Sequence, residues 1–273
     1  MTRLSELGEL GLLAELERRR LVVGVDHDAA QLAGLVLTQD ALVEGVHFTF
    51  DRMPWRDLGW RAAAVNLSDL AASGAEPLGL LVTLALPPET AADDVVALYE
   101  GIAETGVTVV GGDTTASDAV VVSVTAVGRA ERVPGRSGAA PGDTLVVTGP
   151  LGGAGAAFRA HGYVRPPLRI DAGRRLAASA HAMIDVSDGI AVDAGHIARR
   201  SGVRVVLELG DVPLAHGATI ADLGFGEDFE LLAAVPDPAG FAAIGRIEEG
   251  EGVVLLHRGA PVALRGFEHF RQR

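Results

Sequence analysis

A chain of 273 residues has room for about two domains at roughly 150 residues each, and 48% apolar residues with 4% aromatics mark a globular protein with real cores. Its 36 acidic residues outnumber 23 basic ones, every one of them arginine, for a net charge of −13, which repels nucleic acid. Absent lysine excludes the P-loop lysine, the protein-kinase strand lysine and Schiff bases, while zero cysteine excludes thiolate nucleophiles, disulfides and cysteine metal sites.

From the start of the chain, acid stands where a signal peptide needs an apolar stretch, so a cytoplasmic protein is expected. Residues 6–19 space Leu7, Leu10, Leu13 and Leu16 as a helix does, and Arg18-Arg19-Arg20 reads as its solvated end. Short extended runs follow at 21–23, 35–38 and 42–47, then a helix over 56–73 closed by Gly74. The longest apolar run, 78–86, is about half a membrane span and reads as a strand stopped by Pro87-Pro88. A helix over 91–104 and strands over 107–110 and 119–128 complete an α/β half. Residues 131–143, punctuated by Pro134, Gly135, Gly138, Pro141 and Gly142, break both periodicities, which places the domain boundary there. The second half reads as strands over 145–148, 183–185, 203–207, 229–235 and 253–257 with helices over 152–161, 172–180 and 189–200. The two domains are set at residues 1–135 and 136–273.

Acids recur at strand ends and glycine-flanked turns: Asp26, Asp28, Asp40, Asp69, Asp113, Asp185, Asp188, Glu227 and Asp228. Gathered in one cleft, such acids repel unless hard cations sit between them, which points to oxygen-ligated Mg²⁺; any one alone could equally cap a helix or turn. Asn66, Asp69 and Ser73 form a polar stripe at i, i+3 and i+7 on an apolar helix, which needs buried partners or a ligand. Gly111-Gly112-Asp113-Thr114-Thr115 reads as a Gly-Gly turn that lets a phosphate approach backbone N–H groups, and residues 149–155 could present a helix N-terminus to an anion. His47 alternates with apolar neighbours as on a strand, and Arg136 could fork onto a phosphate; both could also be structural. Asn66–Ala72 and Asp185–Ala191 share the pattern [N/D]-x-S-D-x-x-A, weak support for duplication.

Taken together and in order, DHDAA, TQDALVEGVHF, AVNLSDLAASGAEP, VVGGDTT, GRSGAAPGD, MIDVSDGIAVD and GEDFELL resemble the thiamine-monophosphate kinase family. Its superfamily includes aminoimidazole ribonucleotide synthetase, selenophosphate synthetase and the hydrogenase maturation factor HypE. The resemblance implies a two-domain α/β (α+β) aminoimidazole ribonucleotide synthetase-like fold, with N-terminal strands that pair into a barrel in a homodimer and a C-terminal α/β domain. It implies transfer of the γ-phosphoryl of ATP to thiamine monophosphate with several Mg²⁺ ions and no residue acting covalently or as acid or base. By motif, Asp28, Thr38, Gln39, Asp40, Asp69, Asp113, Asp185 and Asp188 resemble metal ligands. Gly112, Asp113, Arg136 and Ser187 resemble ATP contacts, and His47, Glu227 and an aromatic within 266–270, Phe267, resemble thiamine-phosphate contacts. The chain departs from the family at His27, where an acid is usual, at Asp26, where glycine is usual, and at Gln39, where serine or threonine is common. Its second half is short between 158 and 171 and between 211 and 225. The alternatives are another ATP-dependent enzyme of the superfamily, or a nucleotide- or thiamine-phosphate-binding paralogue without turnover; absent cysteine argues against HypE and the usual selenophosphate synthetase.

Overall fold

The computed structural model describes residues 3–23 and 27–267; Asp26 and the alternative aromatic Phe270 lie outside them. Helix α1 (Leu4–Arg18) breaks at Gly8. No strand forms over 21–23. The first sheet contains β1 (Ala30–Leu32), β2 (Leu35–Val43), β3 (Glu76–Leu86), β4 (Val109–Ala116) and β5 (Val121–Arg129), with helices α2 (Trp55–Ala72) and α3 (Ala92–Ala103) between its strands. Its order is β1-β2-β5-β3-β4, antiparallel except for the parallel β3–β4 pair.

The second half supplies β6 (Thr144–Val147), α4 (Gly153–Arg159), α5 (Ile170–Ala177), β7 (Ala182–Asp185), α6 (Ile190–Ser201), β8 (Arg204–Glu208), β9 (Leu231–Val235), β10 (Ala242–Glu248), β11 (Gly252–His257) and β12 (Ala260–Val262). They form a mixed sheet of order β12-β11-β8-β10-β6-β9-β7. Two mixed sheets with helices make an α/β protein of two halves. Among the described residues neither sheet closes into a barrel, and no helix is long and apolar enough to cross a membrane.

Two strands differ from their sequence reading. Residues 111–113 do not turn; β4 runs straight through them beside β3. A Cβ at Gly112 (φ +152°) would fall 1.8 Å from the Val82 carbonyl oxygen, so this glycine permits close strand pairing rather than a loop. His47 is not on a strand either. The left-handed backbone of Gly45 (φ 76°) ends β2, and the His47 amide donates to the Val43 carbonyl in a tight turn. Strand β10, unread in the sequence, fills the gap between β6 and β8.

Helix α2 positions the site. It buries 13 of its 18 residues, because it lies against β2, β3 and β5 on one side and α5, β7 and β9 on the other. Apolar residues of both halves meet at its end, where Ala71 and Ala72 join Leu176, Met183 and Leu231 in one cluster. Helix α3 crosses α2 with the backbones in contact: a Cβ at Gly59 would sit 1.8 Å from the Leu98 oxygen, and one at Gly101 would sit 1.8 Å from the Arg56 oxygen. Helix propensity alone makes Gly→Ala favourable by roughly 0.5–1 kcal/mol; here the overlap reverses the sign. Gly59→Ala should lower stability by about 1–3 kcal/mol, the usual cost of overpacking, read as a lower urea midpoint at unchanged m value.

Candidate active site

A loop, a helix and a strand drawn from both halves bring carboxylates to one point. Asp28 precedes β1, Asp69 lies in the last turns of α2, and Asp185 ends β7. Each offers an oxygen within 4.8 Å of the others. The groups around them are fixed. The Thr38 hydroxyl donates to Asp69 Oδ2, Ser68 donates to Asp185 Oδ2 at 2.6 Å, and Arg136 donates to Asp28 Oδ1 from Nε at 2.8 Å and Nη2 at 2.5 Å. Asn66 accepts the Asp40 amide at 3.0 Å through Oδ1 and donates to the Ala62 carbonyl, so of the predicted polar stripe Asn66 is buried and partnered, while Asp69 is half-buried and borders the cleft.

Burial drives the electrostatics. It pushes the Asp69 carboxyl well above the carboxylate range, helped by the charges of Asp185, Asp40 and Asp28. Burial and the charge of Asp28 raise Asp185 to about 7, against the pull of Ser68 and Arg136. Asp28 is also raised by burial, with Arg136 opposing. One guanidinium therefore faces several crowded acids. Their donor set is hard oxygen, which suits Mg²⁺ or a similar divalent cation and gives soft metals nothing to bind.

The acids stand in a cleft of about 1480 Å³, above the ~300–1,000 Å³ of an ordinary small-molecule site. Asp28, Thr38, Gln39, Asp40, His47, Asp69, Arg136, Asp185, Ser187, Asp188, Glu227 and Phe267 all border it. The Gln39 side chain turns to Ser123 Oγ. Gly112 and Asp113 are elsewhere: they line a separate recess with Tyr99. Strand pairing sets Asp113 level with Thr83, Ser123 and Ala41. It is thus three strands, about 14 Å, from β2, on the opposite face of the sheet from Asp40 by strand alternation. The turn at 149–155 takes no outside anion, because Asp228 already fills it, accepting the Gly152 amide at 2.7 Å and the Ala154 amide at 3.2 Å.

At the far end of the cleft, Arg61 donates to the His47 carbonyl and to Glu227 Oε1. His47 Nδ1 accepts the Val43 amide at 3.0 Å, which places the ring proton of the neutral imidazole on Nε2. Glu227 adopts a left-handed φ of 61°, and its amide is held by the Ser187 carbonyl at 2.8 Å. Sequence reasoning missed Arg61, Ser68 and Asp193, the last of which accepts the Asp188 amide. Arg61 carried a signal, since an arginine amid alanine, leucine and valine on a buried helix needs a partner as much as Asp69 does.

His27, the departure from the usual acid, is accommodated by Gly135: a Cβ there would fall 1.9 Å from His27 Nδ1. Imidazole thus stands beside Asp28 without a further negative charge.

A carboxyl whose folded value exceeds its unfolded one keeps a proton that the unfolded chain has released. Stability from Asp185 is therefore complete below about pH 4 and is lost as pH rises through about 7. A divalent cation held by these acids would compete with those protons, so the effect of Mg²⁺ on Tm should be large near about pH 8 and small near about pH 5. Thermal unfolding with and without Mg²⁺ checks this; a pH-independent increment would mean the ion binds outside these acids.

Comparison with known proteins agrees with the geometry. The AIR synthase related protein N-terminal domain matches residues 26–130 and the corresponding C-terminal domain matches 140–257. Thiamine-monophosphate kinase of Aquifex aeolicus is 34% identical over 98% of this chain and 100% of its own, and that of Mycobacterium tuberculosis is 34% identical over 98% and 93%. The solved complex of AaThiL with AMPPCP and TMP superposes with a TM-score of 0.89 at 33% identity, covering 98% of this chain and 99% of that one. A HypE–HypF complex, 19% identical with a TM-score of 0.75, covering 96% of this chain and 99% of that one, shares the fold. On these likenesses the chain belongs to the thiamine-monophosphate kinase family, within the AIR synthase related proteins.

Proposed function

We propose that this protein transfers the γ-phosphoryl group of ATP to the phosphate of thiamine monophosphate, giving thiamine diphosphate and ADP. The observation that carries the reading is the meeting of Asp28, Asp69 and Asp185 within 4.8 Å in a cleft wide enough for two phosphorylated molecules. Asp28, Thr38, Asp40, Asp69, Asp185 and Asp188 hold the metal with side-chain oxygens, the Gln39 side chain being turned to Ser123; Arg136 and Ser187 meet ATP, and His47, Glu227 and Phe267 meet thiamine monophosphate. Mg²⁺, when bound, screens the carboxylate–phosphate repulsion and stabilises the charge of in-line transfer.

The chain does the positioning. An oxygen of the acceptor phosphate forms the new bond to the γ-phosphorus as the bond to the ADP oxygen breaks. That oxygen is already ionised, so no general base is needed, and catalysis rests on alignment and charge. Nε2–H of His47 is the proton donor that a phosphate accepts, and Glu227 with the face of Phe267 suits the cationic thiazolium.

The protein acts in the cytoplasm as a homodimer, with residues 1–135 and 136–273 as its two domains. The N-terminal strands of two copies close a barrel between them. A second copy also gives Gly112 and Asp113 their part: exposed on the edge strand β4, they serve the partner's site rather than their own.

Purified protein with ATP, Mg²⁺ and thiamine monophosphate should release ADP and thiamine diphosphate in equal amounts. ADP with a different acceptor would point to another reaction of the superfamily, and Mg-ATP binding without transfer to a non-catalytic paralogue. Asp69→Asn should cut kcat by at least about 100-fold, as loss of a transition-state contact does. It should also raise the Tm of the metal-free protein, because a neutral amide removes an acid that burial and its neighbours disfavour in the charged form. Asp113→Asn should be inactive alone, yet mixed dimers with Asp69→Asn should recover roughly a quarter of normal activity, since half the dimers then carry one intact site. No recovery on mixing would place Asp113 in its own chain's site or outside any.

A further inference from the structure

We propose that Arg61 is a positioning residue for the acceptor substrate, tying His47 and Glu227 into one rigid clamp and fixing its distance from the carboxylate cluster. This rests on the kinase reading and names a residue that the motifs do not.

The Arg61 side chain is only 4% exposed, beside Ala62, Ala63, Ala64 and Val65 on the same buried helix. Burying a guanidinium there costs several kcal/mol unless its donors are used. Nη1 donates to the His47 carbonyl and Nη2 to Glu227 Oε1, both at 2.5 Å. One acceptor lies in the turn after β2 and the other in the loop before β9. A single planar group thus joins the two halves of the molecule at the two residues that face the acceptor.

The fork geometry matters more than the charge. Held at Oε1, the Glu227 carboxylate is tied to the same planar group as the His47 carbonyl. The His47 carbonyl holds the turn whose imidazole is set by the Val43 amide. Arg61 Nε and the Tyr163 hydroxyl are buried without hydrogen-bond partners among the described residues, and both side chains border the cleft. Buried polar atoms are rarely left so, and here they mark a wall that an incoming polar edge completes.

Helix α2 turns this clamp into a ruler. Arg61 and Asp69 are eight residues apart, which is about 12 Å along a helix. The carboxylate that meets the cation and the acids that hold the metal are therefore kept at a set separation. The clamp favours acceptors that carry both an organic cation and a phosphate, and disfavours phosphates lacking the cation.

Arg61→Met and Arg61→Lys test this. Arg61→Met should raise KM for thiamine monophosphate roughly 10- to 100-fold, the scale of a misplaced substrate, with KM for ATP unchanged and KM moving more than kcat. Arg61→Lys should recover part of the loss, since an ammonium keeps the charge but not the fork. In Arg61→Met/Glu227→Gln the effects should not add, because both act through one carboxylate. Unchanged KM for thiamine monophosphate, equal rises for both substrates, or additive effects would each overturn the proposal. Should Arg61→Met fail to fold, Arg61→Lys with the Glu227→Gln cycle decides alone. If the unsubstituted protein shows no transfer, it is the kinase reading that has failed; calorimetric binding of thiamine monophosphate to the same variants then still decides the role of Arg61.

Discussion

Like charges crowded at the end of a buried helix set the terms for the whole molecule. Asp69 cannot leave the cluster, because α2 is enclosed by both sheets, and Asp28 and Asp185 are carried to it by separate halves. Without a cation this arrangement is costly, and burial holds the acids partly protonated. With one, the same repulsion becomes affinity: a hard divalent ion replaces protons, and the site acquires the positive charge that a triphosphate needs. An acidic, lysine-free chain can hold ATP only on these terms.

The two halves are not equal contributors to different tasks; they meet in each part of the site. Ser68 of one [N/D]-x-S-D-x-x-A segment donates to Asp185 of the other, and Asp69 and Asp185 share one charge cluster. Arg61 repeats the arrangement two turns away, with one acceptor from each half. A shift of one half against the other would disturb the metal end and the acceptor end together, which makes the α2 contacts as important to activity as any group that touches substrate.

Much of this was legible because helical periodicity exposes an anomaly. Polar Asn66, Asp69 and Ser73 on an apolar face announced a buried network, and the order of the acid motifs announced the family. Where the reading failed, tertiary approach overrode a local cue. Gly111-Gly112 read as a turn, but Gly112 serves the closeness of β4 to Val82. The glycines at 149–155 read as an anion site, but Asp228 occupies it from a distant loop. Strand β10 lacks an alternating apolar pattern and holds a glycine whose Cβ would fall 2.2 Å from the Val206 oxygen, so only its neighbours make it a strand. Arg61 was hidden for the opposite reason, since its partners are far apart in sequence and no spacing relates them.

The exclusive use of arginine sharpens the chemistry of the site. Guanidinium stays charged at any pH a cell meets, so Arg61 and Arg136 are constant in sign. Arg136 directs both Nε and Nη2 onto a single oxygen of Asp28, leaving that carboxylate a second oxygen for a cation. His27 fits the same logic. Beside an arginine that never loses its charge, an imidazole in place of a carboxylate lowers the repulsion within the cluster, and the space for it exists because Gly135, next to Arg136, has no side chain. The cluster thus keeps three converging carboxylates while shedding a fourth, and its hold on cations is set by those three and by the fixed charge of one arginine.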